Sequence, residues 1–417
     1  MVDDAAMATH GDALRRRLGL TDSVVIGLGS MVGAGIFAAL APAAGASGSW
    51  LLLALAVAAL VAYCNATSSA RLAARYPVSG GTYVYGRERL GAFWGYLAGW
   101  GFVAGKTASC AAMALTVGGY AWPEHSRVVA VAAVFAITAI NYTGVQKSAL
   151  ATRIIVAAVL TVLAVVVGVG LFGNQSAATT LADRIGPRGV LQAAGLLFFA
   201  FAGYARIATL GEEVRDPRRT IPRAIMIALG LALAVYALVA VAALEVLGSA
   251  GLAQAIDPLA RVVSTAGVSG LAPLVRVGAV LAAAGSLLAL ILGVSRTVLA
   301  MARDRHLPGA LAAVHARFGV PHRAELAVGA VVAVVVGTVD LHATIEFSSF
   351  TVLVYYLIAN VSAATLTEDR PPRWVPFVGA TGCVVVGLSL PLGAVLTGLV
   401  VLGVGAGWFA VRTARHA

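Results

Sequence analysis

Gly27–Phe37 reads GLGSMVGAGIF and lies inside a long apolar run from Ser23 to Ala44. A run of this length and polarity is a membrane-spanning helix, because hydrocarbon offers no water to satisfy bare backbone groups. Yet Gly27, Gly29, Gly33 and Gly35 stand at its centre. Each glycine weakens a helix by about 1 kcal/mol relative to alanine, and each lets another group approach the main chain. A span interrupted at mid-depth is tolerated only where it lines a cavity or is buried in protein. Freed N–H groups there can receive an anion such as a carboxylate, helped by the positive end of the following half-helix. Freed C=O groups can receive an ammonium. Close packing is the competing reading, since Gly29 and Gly33 also make a small-xxx-small pair.

The rest of the chain fits a membrane setting. Its 417 residues are 60% hydrophobic and 11% charged, which excludes an ordinary soluble domain. The reading is an all-α polytopic membrane protein with about twelve transmembrane helices. Spans are expected near 22–45, 50–73, 92–119, 127–144, 152–172, 188–211, 221–246, 273–302, 324–340, 345–366, 373–390 and 391–411, the last two separated by Pro391. Residues 1–21 form a polar tail. It is not a secretory signal, because the apolar run behind it is too long and lacks a cleavage site. In the long loop 247–272, short helices are expected over 251–260 and 262–270. Cys64, Cys110 and Cys383 fall within spans and read as small buried residues. The histidines, among them His10, His306 and His416, are scattered without metal-ligand spacing. No metal or cofactor is expected.

The net charge of +11 is explained by placement. Arg15–Arg17, Arg71, Arg75, Arg87, Arg89, Lys147 and Arg153 lie on one side, as do Arg215, Arg218, Arg219, Arg303, Arg305, Arg370, Arg412 and Arg415. The other side holds Arg127, Arg184, Arg188, Arg261 and Arg276. The positive-inside rule then puts both termini in the cytoplasm, with the chain in the cytoplasmic membrane. Anionic membrane lipid, not nucleic acid, is the natural neighbour of these arginines.

The sixth span repeats the opening device. Leu196–Leu210 reads LLFFAFAGYARIATL, with Gly203 at mid-depth beside Tyr204 and Arg206. Interrupted first and sixth spans, each heading a set of five, point to an inverted-repeat transporter with its site at the midplane. The division is a first repeat over 22–172, a second over 188–366 and accessory spans over 373–411.

These stretches resemble the amino acid–polyamine–organocation (APC) superfamily, in particular its amino acid permeases. GSMVGAGIF at 29–37 is similar to that family's first-span motif, and YPVSGGTYVYGRERLG at 76–91 to its loop between spans two and three. FFAFAGYARIATLGEEVRDPRRTIPRAI at 198–225 resembles its sixth span and the turn into the seventh. LGVSRTVLAMARDRHLP at 292–308 and FSSFTVLVYYLIANVSA at 347–363 resemble spans eight and ten. The resemblance implies a five-plus-five inverted-repeat core and secondary active transport of amino acids or related amines by alternating access. Carried over by position, it implies that a substrate carboxylate meets N–H groups around Gly33, Ala34 and Gly35. The α-ammonium would meet carbonyls near Ser30, Met31 and Val32 and those of Phe199, Ala200 and Phe201. Phe199 and Tyr204 would gate or wall the pocket, although aromatics at 198–201 also suit plain core packing.

Two positions depart from the family pattern. Organocation exchangers often carry an acid two residues after the sixth-span glycine, where this chain has Ala205; some proton-coupled members carry a lysine in the fifth span, where it has Val159. Lys106 in span three and Arg206 in span six stand in the membrane instead. Lys106 lies some 14 residues from the start of its span, roughly 20 Å deep. Its roles are proton coupling, a fixed charge where relatives hold sodium, or binding the carbonyls of a broken helix. Arg206 stays charged, so it can orient or select substrate, or pair with a nearby acceptor. Arg296 is expected to snorkel or pair at a gate, and Glu212 and Glu213 to be solvated at a helix end. Neutral amino acids are therefore the expected substrates and protons the expected coupling ion. Exchange of cationic substrates and a non-transporting sensor are the alternatives. No HExxH, GxSxG or paired mid-depth carboxylates suggest an enzyme.

Overall fold

The computed structural model describes residues 18–77, 80–144, 149–173, 186–208, 213–368 and 371–414. The tail before Leu18, Lys147, Arg184, Glu212, Arg370 and Arg415, with His10 and His416, lie outside the described residues. Every described element is helical, apart from an isolated bridge between Leu18 and Val214.

Each of the twelve expected spans coincides with helix. Span one is Leu20–Met31 followed by Ala34–Ala38 and Leu40–Ser47. Spans two to five are Leu51–Arg75, Ala92–Ala121, Ser126–Tyr142 and Ala149–Phe172. Span six is Pro187–Phe201, a 3-10 turn Ala202–Tyr204, and Ala205–Ala208. Spans seven to ten are Pro217–Ala253, Ala272–Arg303, His322–Thr338 and Leu341–Ala364. Trp374–Ser389 and Leu392–Ala414 complete the set, parted at Pro391. Among the described residues nine helical stretches are long and apolar enough to cross a bilayer unaided. Three expected spans are weaker for separate reasons. Span three is 30 residues long but diluted by glycine, serine, threonine and Lys106. Spans nine and eleven have only 17 and 16 residues.

The loop after span seven differs from expectation. Span seven runs on to Ala253 through a break at Gly248, whose φ of 63° suits glycine best. An α-helix follows at Pro258–Thr265 and a 3-10 turn at Ser269–Leu271. The segment between spans two and three, which carried no helix in the sequence reading, contains the helix Thr82–Leu90.

The bundle is polar-in and apolar-out in the manner of a membrane protein. Phe135, Phe172, Phe377, Leu392, Val400 and Val404 are exposed, whereas Asn65, Ser68, Thr116, Thr351 and Asn360 are buried. Exposed Trp50, Trp94, Trp122 and Trp374 sit at or beside helix ends, where interfacial aromatics belong. Span three packs most extensively, against spans eight and ten. Asn360 of span ten donates to Asn65 Oδ1 at 2.6 Å and accepts from Ser68 at 2.7 Å. These bonds tie spans two and ten inside the core.

The arginine-rich end is knitted by polar contacts. Leu18 N–H donates to Glu213 O and Arg215 N–H to Leu18 O, joining the start of span one to the end of span six. Arg153 pairs with Asp22, and Arg75 with Glu368. Tyr83 of the loop helix donates to Asp304 at 2.5 Å and lies 2.9 Å from His306 Nδ1. Arg87 pairs with the same Asp304. Burial and the Asp304 carboxylate both push the Tyr83 hydroxyl well above its ordinary range. Burial pulls His306 down, partly offset by Asp304.

Candidate substrate site

Span one breaks where its glycines predict. The last helical bond before the break runs from Val32 N–H to Leu28 O at 2.7 Å. Val32 (φ −76°, ψ 43°) and Gly33 (φ −94°, ψ −140°) then leave helical geometry, and the helix restarts at Ala34. The first N–H groups of the restarted helix lack partners within it, as at any helix start. Span six tightens instead of breaking. Residues 202–204 form a 3-10 turn whose flanking residues stay in the right-handed helical region.

The two spans meet at each other's glycines. A Cβ on Gly203 would lie 2.2 Å from the Ser30 carbonyl oxygen and 2.6 Å from Met31 N. A Cβ on Gly35 would lie 2.5 Å from Ala200 Cα. Both glycines therefore permit main chain to touch main chain. Gly33 faces Ser286 of span eight, with its missing Cβ 2.1 Å from the serine Oγ. Gly29 abuts Val156 of span five and Gly27 abuts Ile207. Close packing and interruption thus coexist in this stretch.

Ser30 and Gly203 are partly accessible, while Met31, Val32, Ala34 and Gly35 are buried. Phe199, Ala200, Phe201 and Tyr204 are buried as well. Phe201 packs on Tyr236 at 5.1 Å, and Tyr204 on Tyr356 at 5.2 Å. The structure therefore brings the residues from Ser30 to Gly35 against Ala200 and Gly203, and turns the Tyr204 ring toward span ten.

Two donors bind carbonyls of the crossing. The Tyr236 hydroxyl of span seven lies 2.6 Å from Met31 O and 3.0 Å from Ala200 O, placing one hydrogen between spans one and six. Lys106 is buried and its Nζ donates to Ala202 O at 3.3 Å. Tyr236 and Ser286 were missed in the sequence. The available signal was a tyrosine and a serine each set within a locally apolar stretch, Ile225–Leu244 of span seven and Val277–Val294 of span eight. The Ser286 hydroxyl is buried beside the break without a hydrogen-bond partner among the described residues.

Arg206 lies elsewhere. Its Nη1 is 4.0 Å from the position of a Cβ on Gly293, and Arg296 and Glu213 act on it electrostatically. Gly293 is two helical turns from Ser286, roughly 10 Å along span eight. The guanidinium thus stands toward the arginine-rich end rather than in the break. Among the described residues no cluster of three metal-ligating side chains occurs.

This arrangement offers donors and acceptors of backbone origin, enclosed by apolar side chains, where the broken span one crosses the 3-10 turn of span six. The amino acid permease family model matches residues 18–416. The chain belongs to the amino acid permease family. The permease is 68% identical over 407 residues to an uncharacterized transporter of Mycobacterium tuberculosis, a match covering 96% of this chain and 92% of the relative. It is 27% identical over 395 residues to a branched-chain amino acid permease of Bacillus subtilis, covering 89% and 85%. It is 28% identical over 404 residues to human cationic amino acid transporter 4, covering 89% of the permease and 62% of the relative. As an APC-superfamily permease it is a multi-pass membrane protein of a transporter family.

Proposed function

We propose that the permease moves neutral amino acids across the cytoplasmic membrane by proton-coupled alternating access, with both termini in the cytoplasm. The core is read as two inverted five-span repeats, 22–172 and 188–366, followed by the accessory spans 373–411. The observation that carries this reading is the crossing of spans one and six. It supplies N–H groups at Gly33, Ala34 and Gly35 for a carboxylate and carbonyls near Ser30, Met31, Val32, Phe199, Ala200 and Phe201 for an ammonium. Tyr236 places a hydroxyl hydrogen on Met31 O and Ala200 O, two of those same carbonyls. It is the group a substrate ammonium displaces, and Ser286 is an added polar ligand beside Gly33.

Substrate charge follows from what is missing near the crossing. A second ammonium, as on lysine, must find an acceptor, and burying it unpaired costs several kcal/mol. Ala205 stands at the acidic position of organocation exchangers, and Lys106 adds a like charge beside Ala202. The branched-chain specificity named for the Bacillus relative favours neutral substrates. The cationic specificity named for the human relative is the second reading. Competition against labelled leucine in proteoliposomes decides between them. Isoleucine, valine or alanine should displace the label, while arginine, lysine and putrescine should not. Stronger displacement by arginine than by isoleucine would sink the neutral reading.

A further inference from the structure

Span nine begins at His322 and carries Glu325 in its first turn. Glu325 is fully buried, and neither carboxyl oxygen has a hydrogen-bond partner. Residues 322, 325 and 329 share one face of the helix. Both neighbours on that face touch span four. A Cβ on Gly329 would lie 2.6 Å from Thr138 Oγ1, and the His322 ring stands edge-on to Tyr142 at 6.2 Å. Glu325 therefore lies between these contacts, level with Thr138–Asn141. Asn141 Oδ1, the Thr138 hydroxyl and His322 Nδ1 are also buried without partners among the described residues. Buried polar atoms are nearly always paired in native proteins, and the Glu325 and Asn141 oxygens are acceptors, so a proton on the Glu325 carboxyl would give this face a donor it lacks as a bare carboxylate.

A cavity of about 30 Å³ adjoins the cluster, lined by Asn141, Leu292, Arg296, Gly319 and Pro321 among others. It has room for a water. Arg296 is the charge that acts on Glu325. No ion pair joins them among the described residues. Span four brings Tyr142 toward this face, and span nine itself adds His322 and Arg323. The preceding loop brings His315, edge-on to His322 at 5.4 Å. Span three and the turn Gly309–Ala312 pack against span nine without adding a charge that acts on Glu325.

A bare carboxylate closed off from water is far costlier than the neutral acid. The dipole at a helix start favours the anion by only a fraction of that cost. The nearby guanidinium argues against a metal cation as the missing partner, because it would repel one. We propose that Glu325 is a proton carrier of the transport cycle, protonated in this conformation and released when spans eight and nine bring its carboxylate onto Arg296. In the release step the carboxyl O–H bond breaks and the proton passes to water in the Arg296 cavity. The negative charge left behind is matched by the guanidinium. This inference rests on the proton-coupled reading above and assigns it a second ionisable group besides Lys106.

The first test does not depend on transport. Infrared spectra of the full-length protein in lipid, in H2O and D2O at neutral pH, should show a protonated-carboxyl C=O stretch that Glu325→Gln removes. An unchanged band in Glu325→Gln overturns the proposal. In proteoliposomes, Glu325→Gln should lose the response of labelled-leucine uptake to an imposed pH gradient while leucine–leucine exchange at equal pH persists. Full pH-gradient dependence in that variant also overturns it. Arg296→Gln should keep the infrared band but lose pH-driven uptake, which guards against misfolding of the first variant. A wild-type protein that moves no leucine at any pH would refute the substrate reading instead, and the infrared result would still decide the state of Glu325.

Discussion

Span one leaves helical geometry at Val32 and Gly33, whereas span six keeps turning through Gly203 as a tightened 3-10 turn. The difference has a chemical origin. Span one carries Gly27, Gly29, Gly33 and Gly35, while the middle of span six carries Gly203 among phenylalanines and alanines. Span one therefore opens its own backbone, and span six is held from outside by Tyr236 at Ala200 O and Lys106 at Ala202 O. A glycine can serve an interruption by loosening its own helix or by letting a neighbour's backbone in. Gly33 does the first, and Gly203 does the second.

Substitutions at the glycines test this most severely. Gly203→Ala drives a methyl into the Ser30 carbonyl, a main-chain atom that cannot rotate away. We expect a loss of more than about 3 kcal/mol, read as little monodisperse protein after extraction. Gly33→Ala meets the Ser286 side chain, so it should be milder and partly rescued by Ser286→Gly. Equal damage from Gly33→Ala and Gly203→Ala, with no rescue, would erase the distinction between the two spans.

Lys106→Met comes next. The variant should fold, because methionine fills similar space, but it removes the donor to Ala202 O. Net leucine uptake driven by a pH gradient should vanish while exchange survives. Uptake with undiminished pH dependence would make Lys106 a purely structural clamp. Tyr236→Phe should cost about 1 kcal/mol in the substrate-free protein. If an ammonium displaces this hydroxyl, the substrate-bound form loses less. The leucine-induced rise in melting temperature should therefore be larger in Tyr236→Phe than in the parent. A smaller rise would place the hydroxyl among the ligands of the bound state.

The smallest effect lies far from the crossing. His306 titrates lower in the folded protein than in the unfolded chain because burial disfavours its cation. The unfolded state then binds the proton more readily, so the contribution of this contact is complete above about pH 6.5 and declines as pH falls through the folded value. Melting temperature should fall slightly more on acidification in the parent than in His306→Asn.

Much of this architecture was legible because membrane spans write themselves as apolar runs, and proline or glycine marks their ends. The twelve expected spans each found a helix, and the GLGSMVGAGIF stretch broke where its glycines crowd. The loop helix Thr82–Leu90 was not legible, since its residues are neither apolar enough for a span nor periodic over enough turns. Tyr236, Ser286 and Glu325 were missed for another reason. Each is one polar residue among several in a mainly apolar helix, and its importance comes from what stands across from it, which local sequence does not record.

The bridge between Leu18 and Val214 has a consequence for how the chain is made. The start of span one has its backbone partners in Glu213 and Arg215, and these leave the ribosome nearly half a chain later. At synthesis rates of about 5–20 residues per second, that interval is roughly 10–40 s. During it, a glycine-weakened helix waits in the translocon or lipid without Gly203, Ala200 and Tyr236 to pack against. Nascent chains arrested before Val214 should therefore be far more open to membrane proteases at 27–35 than chains arrested after span seven.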